Sequence, residues 1–269
     1  VVDIVSTKAV RKYSFLAKTS FASKIAYPLD VISRTFFFAL VLFIFTQLWG
    51  ALLGADSSIA GFSRQQLVWY LMATESIMLS NARIERRIED DVKSGAVAYI
   101  LIRPLHFVWY QCAIYFGESA SSLIFNILIG SIIATLLVGV PPISVGFLPL
   151  ILVVMTLAFL LQFLIKIFLA LLAFWVEDTG PFFWIYSKVL FTLGGLFVPI
   201  DIYPEWLRRV TVAMPFNYIL YQPARLFVNF NLASFVQVLG IQAMWSVLLT
   251  ALVLYIYKQG VKKVSVNGG

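Results

Sequence analysis

Along the 269 residues, long apolar runs alternate with short polar or turn-rich connectors. A hydrocarbon core about 30 Å thick needs about 20 apolar residues at about 1.5 Å rise each. Runs at about 30–53, 66–82, 107–138, 147–175, 182–198 and 235–257 therefore predict six membrane-spanning helices, the second the weakest. Before them, residues 1–27 mix Lys8, Arg11, Lys12, Lys18 and Lys24 with Val5, Ala9, Val10, Tyr13, Leu16, Ala17 and Phe21 at roughly helical spacing. That pattern predicts a basic amphipathic helix on the inner membrane surface. Residues 199–233 are too apolar for a free loop, yet Pro199, Pro204, Pro215 and Pro223 interrupt them. Irregular backbone survives in a membrane only when buried in protein or lining water. The segment thus predicts a re-entrant pair of short helices at about 204–213 and 217–229, anchored at the outer interface by Trp206, Tyr218 and Tyr221. The expected fold is all-α, one transmembrane domain over residues 1–269.

Composition agrees: 61% of the residues are hydrophobic and 12% charged. A soluble domain is nearer half apolar and a quarter charged, so a soluble enzyme, a disordered chain and a secreted disulfide scaffold are excluded. Cys112 is the single cysteine, which leaves no intramolecular disulfide and no zinc cluster. The first strongly apolar run begins at Phe36, too deep for a signal peptide's apolar region, so no cleavable signal is expected.

The net charge of +7 would suit nucleic acid in a soluble chain, but here its placement matters more. The N-terminal segment through Arg34 carries six Lys/Arg, five lie in 83–103 and three follow the last span; only Arg64, Arg208, Arg209 and Arg225 lie in the opposite loops. By the positive-inside rule both termini and the charged loop face the cytoplasm, with the bilayer rather than nucleic acid as partner. No GxxxxGK[ST] phosphate loop and no HExxH motif occur, and His106 is the one histidine. No catalytic residue, metal site or cofactor is expected in this chain, and energised work would draw on a partner or an ion gradient.

The charged loop RIERRIEDDVK (83–93) holds Ile84, Ile88 and Val92 at i, i+4 and i+8. Glu85, Arg86, Arg87, Glu89, Asp90, Asp91 and Lys93 fill the remainder. Such a helix, at about 84–94, suits a groove on a partner protein, its stripe in the cleft and its charges fixing register. A solvated connecting helix fits the pattern equally well. Within the spans lie Glu75, Glu118, Lys166 and Lys188, each costly in hydrocarbon. Glu118 and Lys166 sit at equal depth, roughly 16 Å from the inner boundary, which makes an ion pair between the third and fourth spans feasible; Glu75 lies roughly 12 Å in. The pair either braces the bundle or belongs to a substrate or proton pathway. Gly50 and Gly54 form a GxxxG that permits close helix approach, a weak pointer to a dimer seam. Arg208, Arg209 and Arg225 either reach outer headgroups or form, with Trp206, a lid over an exit.

RIERRIEDDVKSGAVAYILIRPL (83–105) resembles the coupling-helix region of type-2 ATP-binding-cassette export permeases. FWVEDTGPFFWIYSKVLFTLGGLFVPIDIYPEWLRRVTVAMPFNYILYQPARLF (174–227) resembles their fifth span and the extracellular helices after it. The order of parts matches over nearly the whole chain, closest to six-span, drug-exporter-like permeases. The resemblance implies a half-transporter: two permeases, identical or related, paired with two ATPase subunits that hold ATP and Mg, exporting a substrate across the cell membrane. It implies that Ile84, Glu85, Arg87, Ile88, Glu89 and Asp90 contact the ATPase. It places the fifth span near the two-fold axis, where Phe191, Gly194, Gly195 and Phe197 form either an apolar gate or ordinary packing. The few polar groups hint at an amphipathic or hydrophobic substrate. The residues alone leave two other readings: an ion-coupled secondary transporter with Glu75, Glu118 and Lys166 as relay, or a membrane scaffold without transport.

Overall fold

The computed structural model describes residues 7–25, 28–53, 58–102, 105–143, 145–176 and 178–267. Gly54, Arg103, Pro104 and Glu177, which entered the expectations above, lie outside them, as do the side chains of Lys8 and Arg34. The helices are α1 (Thr7–Ile25), α2 (Pro28–Leu53), α3 (Arg64–Leu79), α4 (Ile84–Lys93), α5 (Val97–Leu101) and α6 (Phe107–Val138). After them come α7 (Leu148–Leu171), α8 (Gly180–Leu193), α9 (Glu205–Ala213), α10 (Tyr221–Val228) and α11 (Leu232–Asn267). Among the described residues the one β contact is an isolated bridge between Ile59 and Phe62.

Four stretches are long and apolar enough to cross a membrane: Thr35–Leu53, Phe107–Val138, Leu148–Phe174 and Leu232–Lys263. The second and fifth expected spans are shorter helices. The Ser63 hydroxyl accepts from the Gln66 amide and the Gln66 side chain from the Ser63 amide, a reciprocal cap that starts α3. The helix ends at Ser80 after 16 residues. α8 begins beside Pro181 and ends after 14 residues at Gly194, where Gly195 adopts φ +67°. That left-handed conformation suits glycine, and the chain breaks where a straight span through residue 198 was expected. The expected tail after the sixth span is helical, since α11 continues through Lys258, Lys262 and Lys263.

α3 is the centre of the molecule. Every residue from Leu67 to Ile77 is buried, enclosed by α2, α6 and α10. α7 forms the second buried column, against α11, α4 and α10. α1 lies along the start of α6, tied by the Tyr13 hydroxyl, which accepts from the His106 amide at 3.1 Å. The two cross so tightly at Gly117 that a Cβ there would collide with the Ala17 carbonyl. α2 crosses α6 at Gly130, where a Cβ would sit 2.7 Å from the Phe38 ring.

Three expectations change. Ile84 and Ile88 are fully buried in this chain's own core, because α4 lays its stripe on α7. The stripe therefore does not present itself to a partner. Tyr218 and Tyr221 are buried against the core rather than set at an interface, since α10 and the turn before it pack on this chain's own helices, α10 on α3 and α7. Gly50, the described half of the GxxxG, faces this chain's Arg64, whose guanidinium would lie 3.2 Å from an added Cβ. The small residue there makes room for the Arg64 bond to the Thr46 carbonyl at 3.4 Å.

Candidate functional site

Two clusters of polar groups stand out, one just past the C-terminal end of α3 and one along its middle, at Tyr70 and Thr74. At the first, the chain leaves α3 through Ser80–Arg83 and turns directly into α4. Lys166, on buried α7, reaches this turn: its Nζ donates to the Ala82 carbonyl at 2.8 Å and to Asn81 Oδ1 at 3.3 Å, and pairs with Glu85 Oε2 at 3.0 Å. Asn81 Oδ1 also accepts from the Tyr115 hydroxyl of α6 at 2.9 Å. Tyr186 of α8 lies beside Glu85, and Gln162 of α7 lies beside Tyr186, both buried. A second pair, Arg87 to Glu118 at 2.5 Å, joins α4 to α6. Burying charge is costly unless it is paired and hydrogen-bonded, and this lysine meets three acceptors.

The expected Glu118–Lys166 pair is thus replaced by two others. α4 folds back close enough to supply the counter-charge to each. Glu75 is buried at 2% exposure and has no hydrogen-bond or ion-pair partner among the described residues. The three groups of the supposed relay are not joined.

The outer half of α4 is anchored separately. Glu89 accepts from the Thr179 hydroxyl at 2.6 Å, just ahead of α8, and is bonded to Lys93 one turn on. The Lys93 and Thr179 bonds hold the Glu89 carboxyl below its ordinary range, and the Glu89 bond raises Lys93. Asp91 is pushed up by burial, against the pull of Arg87. What remains for a partner is the exposed set Arg86, Asp90 and Lys93. These stand between two clefts. One of about 520 Å³ is lined by Glu89, Val92, Lys93, Trp175 and Lys263; the other, of about 480 Å³, by Glu85, Arg86, Asp90, Asp178 and Trp184.

At the second cluster the chain breaks after α8. The Tyr70 hydroxyl donates to the Gly195 carbonyl, and the Thr74 hydroxyl to the Leu196 carbonyl at 2.7 Å. Two α3 side chains thereby satisfy carbonyls that the broken helix leaves unpaired. Beyond the break, Tyr221 donates to Asp201 at 2.5 Å and Tyr203 to the Thr192 carbonyl at 2.8 Å. Of the expected gate residues, Gly194 and Gly195 are buried in this break, and neither has room for a side chain. Phe191 meets Phe197 edge-on at 4.8 Å, and Phe197 meets Phe45 of α2 at 4.6 Å. Lys188 lies on the exposed side of α8 over the Trp184 ring, 5.7 Å from its centre.

The expected lid residues separate. Trp206 and Arg208 are exposed on α9, and Arg209 is bonded there to Glu205 at 3.0 Å. Arg225 belongs to α10 and stands over the Tyr221 ring at 5.9 Å. Asn81, Tyr115, Thr179, Tyr70 and Thr74 were not singled out from the sequence. The signal available was the uncharged polar residue inside an apolar run, which a survey of charges passes over. Among the described residues no group of three or more His, Cys, Asp or Glu side chains could hold a metal ion.

The arrangement joins a surface-exposed charged helix to the buried columns of a membrane bundle. No curated protein matches the chain significantly. A family model described as ABC-2 family transporter protein matches residues 24–268.

Proposed function

Because the chain belongs to the ABC-2 family of transporters, a family of multi-pass membrane permeases, we propose that it is the permease half of an exporter driven by a separate ABC ATPase. In this reading α4 is the coupling helix. Two ATPase subunits holding ATP and Mg act on two permeases, this chain and a second that is identical or related. The membrane is the cell membrane, and both termini are cytoplasmic, as the fourteen-to-four distribution of basic residues favours. α2, α3, α6, α7, α8 and α11 make six crossings. At about 1.5 Å per residue α3 and α8 are short of a full span, and non-helical backbone completes them. Such backbone is tolerated where protein satisfies it, as Tyr70 and Thr74 do after α8. The substrate is amphipathic or hydrophobic. Residues 1–27 serve as an interface helix, and 199–233 as the extracellular re-entrant segment.

The observation that carries this reading is the attachment of α4. A passive connecting loop has no need of two ion pairs into the bundle, yet Glu85 and Arg87 bind Lys166 of α7 and Glu118 of α6. α4 consequently moves with α6 and α7, and a push on its outer face shifts the balance between inward- and outward-facing states. The contact with the ATPase falls to Arg86, Asp90 and Lys93, flanked by the two clefts. Glu85, Arg87, Ile84 and Ile88, expected to touch the ATPase, hold α4 in place instead.

The test is purification of the chain with a candidate ABC ATPase. Arg86→Glu with Asp90→Lys is expected to abolish association or substrate-stimulated ATP hydrolysis while leaving the melting temperature of the permease unchanged. Undiminished association and stimulation would refute the assignment of α4.

A further inference from the structure

An apolar groove of about 410 Å³ runs between α1 and the start of α6. α1 lines it with Val10, Tyr13, Ser14 and Ala17, a single face at i, i+3, i+4 and i+7, and α6 supplies Trp109, Cys112 and Ala113. The groove is rigid, because the Tyr13 hydroxyl is fixed by the His106 amide and the helices touch at Gly117. Its rim is basic on one side. Arg11 and Lys18 each follow a lining residue, Val10 and Ala17, so both project about 100° round from the groove floor on the same edge of the helix. Both are exposed. An apolar slot beside two cations two turns apart has the polarity of a lipid: a chain below and an anion at the edge. Lysine and arginine stems lie along apolar surface while their heads reach polar surroundings, so both charges can meet a headgroup at the groove's edge.

We propose that the α1–α6 groove is a binding site for an anionic phospholipid, one acyl chain against Cys112 and Trp109 and the headgroup held by Arg11 and Lys18. In a membrane protein a lipid is always at hand, and the paired cations select the anionic ones. Two basic residues near the surface favour an anionic over a zwitterionic lipid by about tenfold or more. Occupancy pins α1 to α6, whose Glu118 is bound to α4. The lipid thereby stiffens one anchor of that helix.

Cys112, the single cysteine, lies in the groove and serves as the probe. The full chain is reconstituted in phosphatidylcholine vesicles and in vesicles with one part in about three phosphatidylglycerol, a fraction high enough to saturate a site with this preference. The rate of labelling by a membrane-permeable maleimide is compared. As a reference, Ile124→Cys in a Cys112→Ala background reports general access from lipid. The rate at Cys112, relative to the reference, is expected to fall about tenfold with phosphatidylglycerol, in line with the preference of two cations. Arg11→Gln with Lys18→Gln is expected to abolish that difference. Native mass spectrometry of the solubilised chain should show a retained phosphatidylglycerol that the double variant lacks. Equal relative rates in the two vesicles, or a fall that survives in the double variant, would overturn the site. Protection that requires a second copy of the chain, rising with protein density in either vesicle, would also overturn it.

Discussion

Two places on α3 are held by different chemistry. Where the chain turns into α4, charges meet charges: Lys166 with Glu85, Arg87 with Glu118. Along the middle of α3, beside the end of α8, neutral hydroxyls meet backbone carbonyls: Tyr70 with Gly195, Thr74 with Leu196. A buried ion pair is costly to break by removing one partner, since the other charge is left without compensation. A hydroxyl–carbonyl bond is worth far less, and each can be exchanged singly. In the proposed exporter the first would stay together under load and the second would open and close, the division that a helix receiving force and a segment gating an exit require.

The contrast is broken most severely at Lys166. Lys166→Met leaves the half-buried Glu85 unpaired, and is expected to cost up to about 3 kcal/mol, the low end for a broken buried pair. Adding Glu85→Gln should restore most of that, as read by thermal unfolding of the purified chain. Equal loss in the single and double variants would show that the pair holds nothing.

At the other place, Gly195→Val forces a β-branched residue into φ +67° with its Cβ 3.0 Å from Ile200 and the Tyr70 hydroxyl. An expected loss of about 2 kcal/mol follows from the backbone conformation alone. Gly61, at φ +81° with open space around it, is the control for backbone strain without crowding. Milder still are Tyr70→Phe and Thr74→Val, each leaving one buried carbonyl unpaired at about 1–3 kcal/mol. They should alter substrate-stimulated ATP hydrolysis by the complex more than association with the ATPase. If instead they abolish association and spare stimulation, the two places have been assigned the wrong way round.

The smallest expected effect is on pH. Glu89 is held below its ordinary range by Lys93 and Thr179. A carboxylate depressed in the folded state contributes stability that is present above its unfolded value and lost as pH falls through its folded value. The difference in melting temperature between the parent and Glu89→Gln should therefore be constant near neutrality and vanish in the acid range below the usual carboxylate value. A difference that grows on acidification would show that Glu89 is not held by these bonds.

What was legible in the sequence differs between the two places in the same way. The first short helix after α8 was legible within a residue, because Pro204 precedes it; the second starts four residues later than expected, at Tyr221, because Pro215–Tyr218 form a separate turn. The Gly194-Gly195 pair was visible, but not that Tyr70 and Thr74 would cap the break, since a hydroxyl in an apolar run gives no direction. The α4 helix was legible in extent, and its stripe was real. A stripe says which face is buried, not against what, and Ile84 and Ile88 turned inward. Counting residues along two helices suggested a Glu118–Lys166 pair, yet pairing depends on what packs between them. α4, folded back under the bundle, took both partners.

The central claim is that α4 moves as one body with α7. It is tested most directly by joining them. In a Cys112→Ala background, Glu85→Cys and Lys166→Cys remove both charges together and place two thiols where the ion pair stood. They are then bridged by a bifunctional thiol reagent of matching length. Substrate-stimulated ATP hydrolysis by the reconstituted complex is measured before and after bridging. The account predicts that the bridge leaves stimulation unchanged, because it locks two parts that already travel together. Loss of stimulation on bridging, restored by cleaving the bridge, would mean that α4 slides against α7 during the cycle, and would contradict it.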